Sequence, residues 1–180
     1  KLLEHNHDVL SLDWKGSPTP DQQEHFIQID LSNLDTILQL FRGYDAIIHL
    51  AAILNPENHP PGVAYINNIT ISYNVLWAAA ELSIQYVCLA SSINALGGAR
   101  SQVGRYDYFP VNEDHPTYNE DDYALSKWVL EQQADSFARR HPSMTISSLR
   151  FHALPDESPS LSHSLDDASV GAARTLWGWT

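Results

Sequence analysis

The sequence predicts an α/β protein whose core is a doubly wound sheet of parallel strands with helices on both faces. Short apolar segments alternate with longer helical segments along nearly the whole chain, and this alternation is typical of parallel βαβ units. Most of the apolar segments also end in polar side chains, at the sheet edge where ligands of such folds bind. These polar residues are Asp13, Asp30, His49, Ser91 and Ser92.

Five segments have the length and apolar composition of buried strands, and turn residues separate them from their neighbours. Residues 1–5, before the first strand, are interpreted as the last turn of a helix. A polar loop over residues 15–23 separates the first two strands. The predicted strands are Asp8–Asp13, His25–Asp30, Ala46–Leu50, Tyr86–Ala90 and Thr145–Phe151.

Three segments have helical periodicity, over residues 33–41, 63–82 and 121–140. We expect Ser32 to cap the first helix at its N-terminus and Gly43 to end it. Acidic residues precede the third helix, and carboxylates are favoured at the positive end of the helix dipole.

Two segments between these elements are predicted to be loops. Residues 55–62 contain prolines at three positions, which is incompatible with a regular element. Residues 97–116 are rich in glycine, proline and charge, and we expect them to form an active-site loop or lid.

Composition excludes several classes of function. The chain has 180 residues, 43% of them hydrophobic, which suits one domain with a real core. A net charge of −12 argues against nucleic acid and against an anionic membrane surface as partners. The lone Cys88 lies in an apolar run and permits no disulfide framework within the chain, which fits a reducing, cytoplasmic compartment. We expect no signal peptide, no membrane span and no metal site.

One pair of side chains indicates acid/base chemistry. Tyr123 and Lys127 lie four residues apart, on one face of the third helix. A free tyrosine has a pKa of ~10, too high for a base at neutral pH. An ammonium at ~4 Å, in an effective dielectric of ~20, supplies ~4 kcal/mol in favour of the phenolate. This pair can therefore transfer a proton, although a chance pairing on an exposed helix remains the alternative.

Eight short pieces of sequence, taken together and in order, resemble a known family. They match the extended short-chain dehydrogenases/reductases of the NAD-dependent epimerase/dehydratase family, which includes the UDP-glucose 4-epimerases. The pieces are Leu12-Asp13, Asp30-Leu31, His49-Leu50-Ala51-Ala52, Asn67-Asn68, Ala90-Ser91-Ser92, Pro110 to Pro116, Tyr123 to Lys127 and Leu149-Arg150-Phe151.

The resemblance implies a Rossmann-like domain, NAD as the cofactor and a catalytic set of Ser92, Tyr123 and Lys127. In the family, the tyrosine takes a proton from a substrate hydroxyl while hydride moves to NAD. Ser92 would orient the substrate oxygen, with Ser91 as the alternative serine. Lys127 would bond the nicotinamide ribose and favour the phenolate of Tyr123.

The resemblance also implies a set of cofactor-binding residues. Asp13 would accept both ribose hydroxyls and repel the additional phosphate of NADP. Asp30 would bond the adenine amino group, with Leu31 packing nearby. The remaining members are Leu50, Ala51 and Ala52, where backbone runs close to the cofactor, together with Asn68 and Lys127.

Structural alternatives stay open for these residues. Asp13 could be a surface acid of a loop, and Asp30 could be the N-terminal partner of the helix that follows. Leu50, Ala51 and Ala52 could serve simple packing. Asn68 could be a polar group that packs in the interior.

The chain departs from the family in three places. No glycine precedes Gly16, so the first strand and the glycine-rich phosphate turn of the family are missing. That strand is central, and its loss would leave two strands without their shared neighbour. Ile71 stands where the family usually has glycine. The sequence also stops at Thr180, before most of the family's substrate domain.

We therefore expect one partial NAD(P)-binding Rossmann-like domain over residues 1–180, incomplete at both ends. Residues 155–180 would begin the substrate-binding region. The expected chemistry is that of a sugar-nucleotide epimerase, dehydratase or reductase, with a nucleotide sugar as substrate. The alternatives are a truncated, non-catalytic remnant and a reductase or dehydrogenase of a non-sugar small molecule. The two long helices, 63–82 and 121–140, are where the family often forms homodimers.

Overall fold

A computed structural model describes residues 2–16, 25–98 and 101–152. All five predicted strands and all three predicted helices are confirmed, with ends that shift by a few residues. Residues 155–180 of the expected substrate-binding region lie outside the described residues. The strands are β1 Ser11–Asp13, β2 Phe26–Gln28, β3 Ala46–His49, β4 Tyr86–Ser92 and β5 Thr145–Phe151; the helices are α1 Leu34–Leu40, α2 Val63–Glu81 and α3 Asp122–Arg140.

The strands form two parallel sheets instead of one. Strand β1 pairs with β2, and a separate sheet has the order β3-β4-β5. Within the described residues no strand joins β1 to β3. This confirms the expectation that two strands would lack their shared central neighbour, because in a doubly wound sheet the missing strand would lie between them.

Strand β4 is two residues longer than predicted, because Ser91 and Ser92 pair with Arg150 and Phe151 of β5. Side chains alternate across a sheet, so Ser91 shares a face with Arg150 and Ser92 takes the opposite direction. The two serines therefore meet different neighbours, although they are adjacent in sequence.

One expectation at an element end was wrong. Asn33, not Ser32, caps α1: its side-chain oxygen accepts a hydrogen bond from the Thr36 N–H at 3.2 Å. Ser32 is instead part of the preceding turn, where its own N–H donates to Asp30 at 2.8 Å. At the start of the described residues, Leu3–His5 form a single 3-10 turn, a form that is common where α-helices end.

The core lies between α1, α2 and α3 and one face of the strands. Its fully buried members come from both α2 and β4, so that helix and sheet pack directly together. The rings of Tyr73 on α2 and Phe137 on α3 meet edge to face at 5.5 Å, which fixes the two long helices side by side. The largest fully buried apolar side chains are Ile37, Val75, Leu76 and Leu89.

The other face of the three-stranded sheet carries exposed apolar side chains within the described residues. Ile48, Tyr86 and Leu149 lie on this face, 53%, 57% and 44% exposed. Parallel sheets normally bury both faces, so these side chains form an apolar patch that the fold would ordinarily cover.

A buried histidine ends β3. His49 is 4% exposed, and its Nε2 is the one buried side-chain nitrogen or oxygen without a hydrogen-bond partner among the described residues. Burial, and secondarily the Lys127 ammonium, lowers the pKa of His49 to about 4. His49 is therefore neutral at pH 7.

The open sheet face predicts a difference between two glutamate substitutions. Tyr86→Glu places a negative charge in the apolar patch and should lower binding of the anionic dye anilinonaphthalene sulfonate, which reports exposed apolar surface. Val103→Glu adds the same charge at a side chain that is 76% exposed but lies outside the sheet, so dye binding should fall less than in Tyr86→Glu. Equal dye binding by all three proteins would contradict an exposed sheet face.

The buried His49 predicts a dependence of stability on pH. The unfolded chain binds a proton at this site below pH 6.5, whereas the folded chain does so only near pH 4. The stabilisation by neutral His49 is thus complete above pH 6.5 and is lost as the pH falls to 4. Relative to His49→Leu, the wild-type free energy of unfolding should fall by ~1.4 kcal/mol per pH unit across this window.

Urea unfolding at several pH values measures this difference. His7→Leu, at an exposed position, controls for the loss of a histidine as such. A constant difference between wild type and His49→Leu from pH 6.5 to 4 would contradict the burial of a neutral imidazole.

Candidate active site

The start of α3 fixes the position of Tyr123. The side chain of Asp121 accepts hydrogen bonds from the N–H groups of Tyr123 and Ala124, both at 2.9 Å, and so caps the helix. The next carboxylate, that of Asp122, accepts from the Gly62 N–H at 2.7 Å and ties this end of α3 to the start of α2. Tyr123 therefore lies in a first turn that is anchored twice.

Tyr123 and Lys127 are both buried, 8% and 3% exposed, one turn apart on α3. The Lys127 ammonium lies 5.7 Å from the centre of the Tyr123 ring. It also donates a hydrogen bond to the carbonyl of Ala90 on β4. Burial lowers the pKa of Lys127 to about 8, so the ammonium is still protonated at pH 7. The positive charge of Lys127 therefore lies close to both the ring of Tyr123 and the Ala90 carbonyl of β4.

The two serines at the end of β4 have different partners. Ser91 donates its hydroxyl hydrogen to Glu131 of α3 at 2.5 Å. Ser92 accepts from the Asn94 N–H at 3.1 Å and caps the 3-10 turn Ile93–Leu96. Because Ser92 is the acceptor in this bond, its hydroxyl hydrogen is left to donate elsewhere. The hydrogen-bond pattern therefore favours Ser92 over Ser91 as a group that meets a substrate.

The segment after Ser92 lies against the segment before Tyr123. The Tyr118 N–H donates to the Leu96 carbonyl at 2.7 Å, and the Asn119 amide donates to the Ala95 carbonyl at 3.4 Å. Gly97 has a φ of +87°, and a Cβ there would come within 2.3 Å of the Tyr118 carbonyl oxygen. Only glycine fits this contact, which explains why glycine follows Ser92 at this spacing.

The loop predicted over residues 97–116 is built around a buried imidazole. His115 is 2% exposed; its Nε2 accepts from the Asp107 N–H at 2.9 Å, and its Nδ1 lies 2.7 Å from the Pro116 carbonyl. The rings of Tyr106 and Tyr108 pack against it. Composition predicted a loop here but not this packing, and a lid function of the loop stays a prediction.

The predicted adenosine-binding carboxylates lie at the ends of the two-stranded sheet. Asp13 accepts from the Lys15 N–H at 2.9 Å and Asp30 from the Ser32 N–H at 2.8 Å, so each forms a tight turn through one oxygen. Both residues are exposed. Leu31 is a core residue, 8% exposed.

The segment after β3 is held by Asn68. Leu50 is 64% exposed, whereas Ala51 and Ala52 are half-buried. The Asn68 side chain accepts from the Ile53 N–H at 2.8 Å and donates to the Ile53 carbonyl at 3.0 Å.

The same Asn68 amide also reaches α3. It donates to the Ser126 hydroxyl at 3.1 Å, and Ser126 lies between Tyr123 and Lys127 on α3. Together with a hydrogen bond that the Asn68 oxygen accepts from the Asn67 amide at 3.3 Å, these bonds use the whole amide group within the protein. Asn68 therefore connects the segment after β3 to α3. This agrees with the alternative in which Asn68 is a polar group that packs in the interior.

The sequence did not indicate a role for two residues close to the candidate site, Arg150 and Glu131. The guanidinium of Arg150 on β5 bonds both carboxylate oxygens of Glu131 on α3, at 2.9 and 2.8 Å. Arg150 belonged to a matched piece of sequence without an assigned role. Glu131 could have been found from its place one turn after Lys127, although its partner could not.

A metal-ligand cluster and a membrane-spanning helix are both absent from the described part of the chain. Within it, no group of three or more histidine, cysteine, aspartate or glutamate side chains is arranged to hold a metal ion. None of the described helices is both long and apolar enough to cross a membrane.

Solved structures share this fold. The chain superposes on the UDP-Glc/GlcNAc 4-epimerase from Campylobacter jejuni with a TM-score of 0.68 and 22% identity, over 83% of this chain and 47% of that one. A short-chain dehydrogenase/reductase superfamily protein from Agrobacterium tumefaciens with bound NAD gives a TM-score of 0.71 and 22% identity, over 86% and 44% of the two chains. The fold is therefore Rossmann-like, as expected, and partial.

Sequence relatives agree with the fold. A Methanocaldococcus jannaschii protein named "Putative UDP-glucose 4-epimerase" is 31% identical over 147 residues, 77% of this chain and 46% of the relative. The L-arabinose 1-dehydrogenase (NAD(P)(+)) of Haloferax volcanii is 28% identical over 156 residues, 83% and 59% of the two chains. The chain thus spans about half the length of the curated relatives it matches. Since the family's sequence model matches residues 1–160, the chain belongs to the NAD dependent epimerase/dehydratase family.

Proposed function

We propose that the chain carries the proton-transfer half of an NAD-dependent epimerase/dehydratase-type oxidoreductase that acts on a nucleotide sugar. The observation that carries the proposal is the buried Lys127 ammonium between the Tyr123 ring and the Ala90 carbonyl. Family membership and the relatives' names support this class of reaction.

Tyr123 would act as the acid/base. A cation beside the ring stabilises the phenolate, and in a site of low effective dielectric this stabilisation is larger than in water. The phenolate takes the proton of a substrate hydroxyl, while Ser92 donates a hydrogen bond to the same oxygen and holds it in line. NAD, when bound, supplies the hydride-accepting nicotinamide.

The chain's residues fit part of an NAD site. Asp13 and Asp30 place carboxylates at two strand ends, each with one oxygen outside its turn bond. A carboxylate at the position of Asp13 favours NAD over NADP. Ala51 and Ala52 have small side chains, which a close approach of the cofactor to the backbone would require. No glycine-rich turn is present among the described residues to cradle the pyrophosphate.

A non-catalytic remnant is the second candidate. The separation of β1-β2 from β3-β4-β5 favours it, because the expected cofactor residues are divided between two sheets. A reductase or dehydrogenase of a different small molecule would use the same Ser92, Tyr123 and Lys127, and the relatives include an L-arabinose dehydrogenase.

The proposal also includes a homodimer and a cytoplasmic location. Ile66 and Tyr73 on α2 are 61% and 44% exposed, which supports a homodimer through the outer faces of α2 and α3.

Cys88 is a free cysteine that forms no disulfide, which supports a cytoplasmic protein.

Substitution of Tyr123 tests the acid/base role. With NAD and UDP-glucose as probes, Tyr123→Phe should lower the rate of nicotinamide reduction by ~10²–10⁴-fold, because it removes the proton acceptor. The affinity for NAD, measured by calorimetry, should be unchanged because the ring remains. Tyr86→Phe, on the open face of β4, is the matched control and should keep the wild-type rate.

Two outcomes would contradict this proposal. An unchanged rate in Tyr123→Phe would remove the residue from the mechanism. No heat of NAD binding by the wild type at millimolar cofactor would favour the non-catalytic remnant.

A further inference from the structure

The residue one turn after Lys127 on α3 is an acid. Lysine and glutamate at this spacing on a helix normally attract each other. Here the Lys127 ammonium donates instead to the Ala90 carbonyl, and Glu131 binds Arg150 and Ser91. The structure thus separates two opposite charges that the helix alone would bring together.

The Glu131 carboxylate is saturated by these partners. The Arg150 guanidinium donates to Oε1 at 2.9 Å and to Oε2 at 2.8 Å, and the Ser91 hydroxyl adds a bond to Oε1. This two-pronged contact is the strong form of an ion pair, and the side chains are only 20% and 13% exposed. The hydrogen bond to Glu131 also raises the pKa of Arg150.

We propose that Arg150 is a positioning residue: with Ser91 it holds the Glu131 carboxylate away from Lys127, and so keeps the Lys127 ammonium for Tyr123. The separation of charges follows from the contacts alone, and its catalytic meaning rests on the proposed function.

The physical consequence of losing Arg150 follows from the charges. A released carboxylate next to a buried ammonium favours the protonated form and raises the pKa of the lysine. Burial now lowers that pKa to about 8. If Lys127 paired with Glu131, the ammonium would turn away from Tyr123, and the carboxylate would partly cancel its positive charge.

The test is the titration of the Lys127 ammonium by ¹⁵N NMR. The chain has three lysines, Lys1, Lys15 and Lys127, so Lys127→Met assigns the resonance. In Arg150→Gln we expect the pKa of Lys127 to rise by at least one unit, a tenfold change in proton affinity. In the double variant Arg150→Gln/Glu131→Gln it should return to the wild-type value, since the competing anion is gone.

Further variants keep the test decisive. Arg105→Gln removes an exposed arginine that pairs with Asp107 and should leave the titration unchanged. If Arg150→Gln does not fold, Arg150→Lys replaces the two-pronged contact by a single charge, and the Lys127 pKa should rise by a smaller amount.

Two results would overturn the proposal. One is a Lys127 pKa that stays at the wild-type value in every Arg150 variant that folds. The other is a double variant whose Lys127 pKa is as high as that of Arg150→Gln, which would mean that Arg150 acts only through packing. Because the titration needs neither NAD nor substrate, failure of the proposed function and failure of this inference are distinguishable.

Discussion

A buried ammonium bonded to a strand carbonyl is the contact on which the rest of the site depends. Removing the charge of Lys127 from water is unfavourable in free energy, and for this reason burial lowers the pKa of the ammonium to about 8. The Ala90 carbonyl offsets part of it without neutralising the charge. The Tyr123 ring lies 5.7 Å from the same ammonium.

Polar ties on both sides of Lys127 hold the helix where this contact can form. Asp121 caps the first turn of α3. Ser126 joins the helix to Asn68, and through it to the segment after β3. Glu131 joins the helix to β4 and β5. Each tie crosses between elements, so the position of the tyrosine is determined by the sheet as well as by the helix.

Much of the fold follows from the sequence because periodicity and turn residues act locally. The helix that pairs Tyr123 with Lys127 and the division of the sheet at a missing central strand were both predictable. The Arg150–Glu131 contact was not, since it depends on how α3 packs against β5. Asn33 caps α1 in place of Ser32 because Ser32 belongs to the preceding turn, where its N–H is bonded to Asp30.

The divided sheet places the two parts of the expected ligand site on different elements. Asp13 and Asp30 lie on the two-stranded sheet, and Tyr123 lies beside the three-stranded one. The Asn74 amide on α2 donates to the carbonyls of Leu31 and Ser32, at 3.1 and 3.0 Å, and links the first of these to the helical layer.

The most direct measurement of the central claim is the titration of the Tyr123 hydroxyl by NMR in a chain with ¹³C-labelled tyrosines. If the ammonium of Lys127 stabilises the phenolate, Tyr123 loses its proton below the value of ~10 for a free tyrosine, and Lys127→Met returns it toward that value. A Tyr123 hydroxyl that titrates at ~10 or above, unchanged in Lys127→Met, would contradict the account.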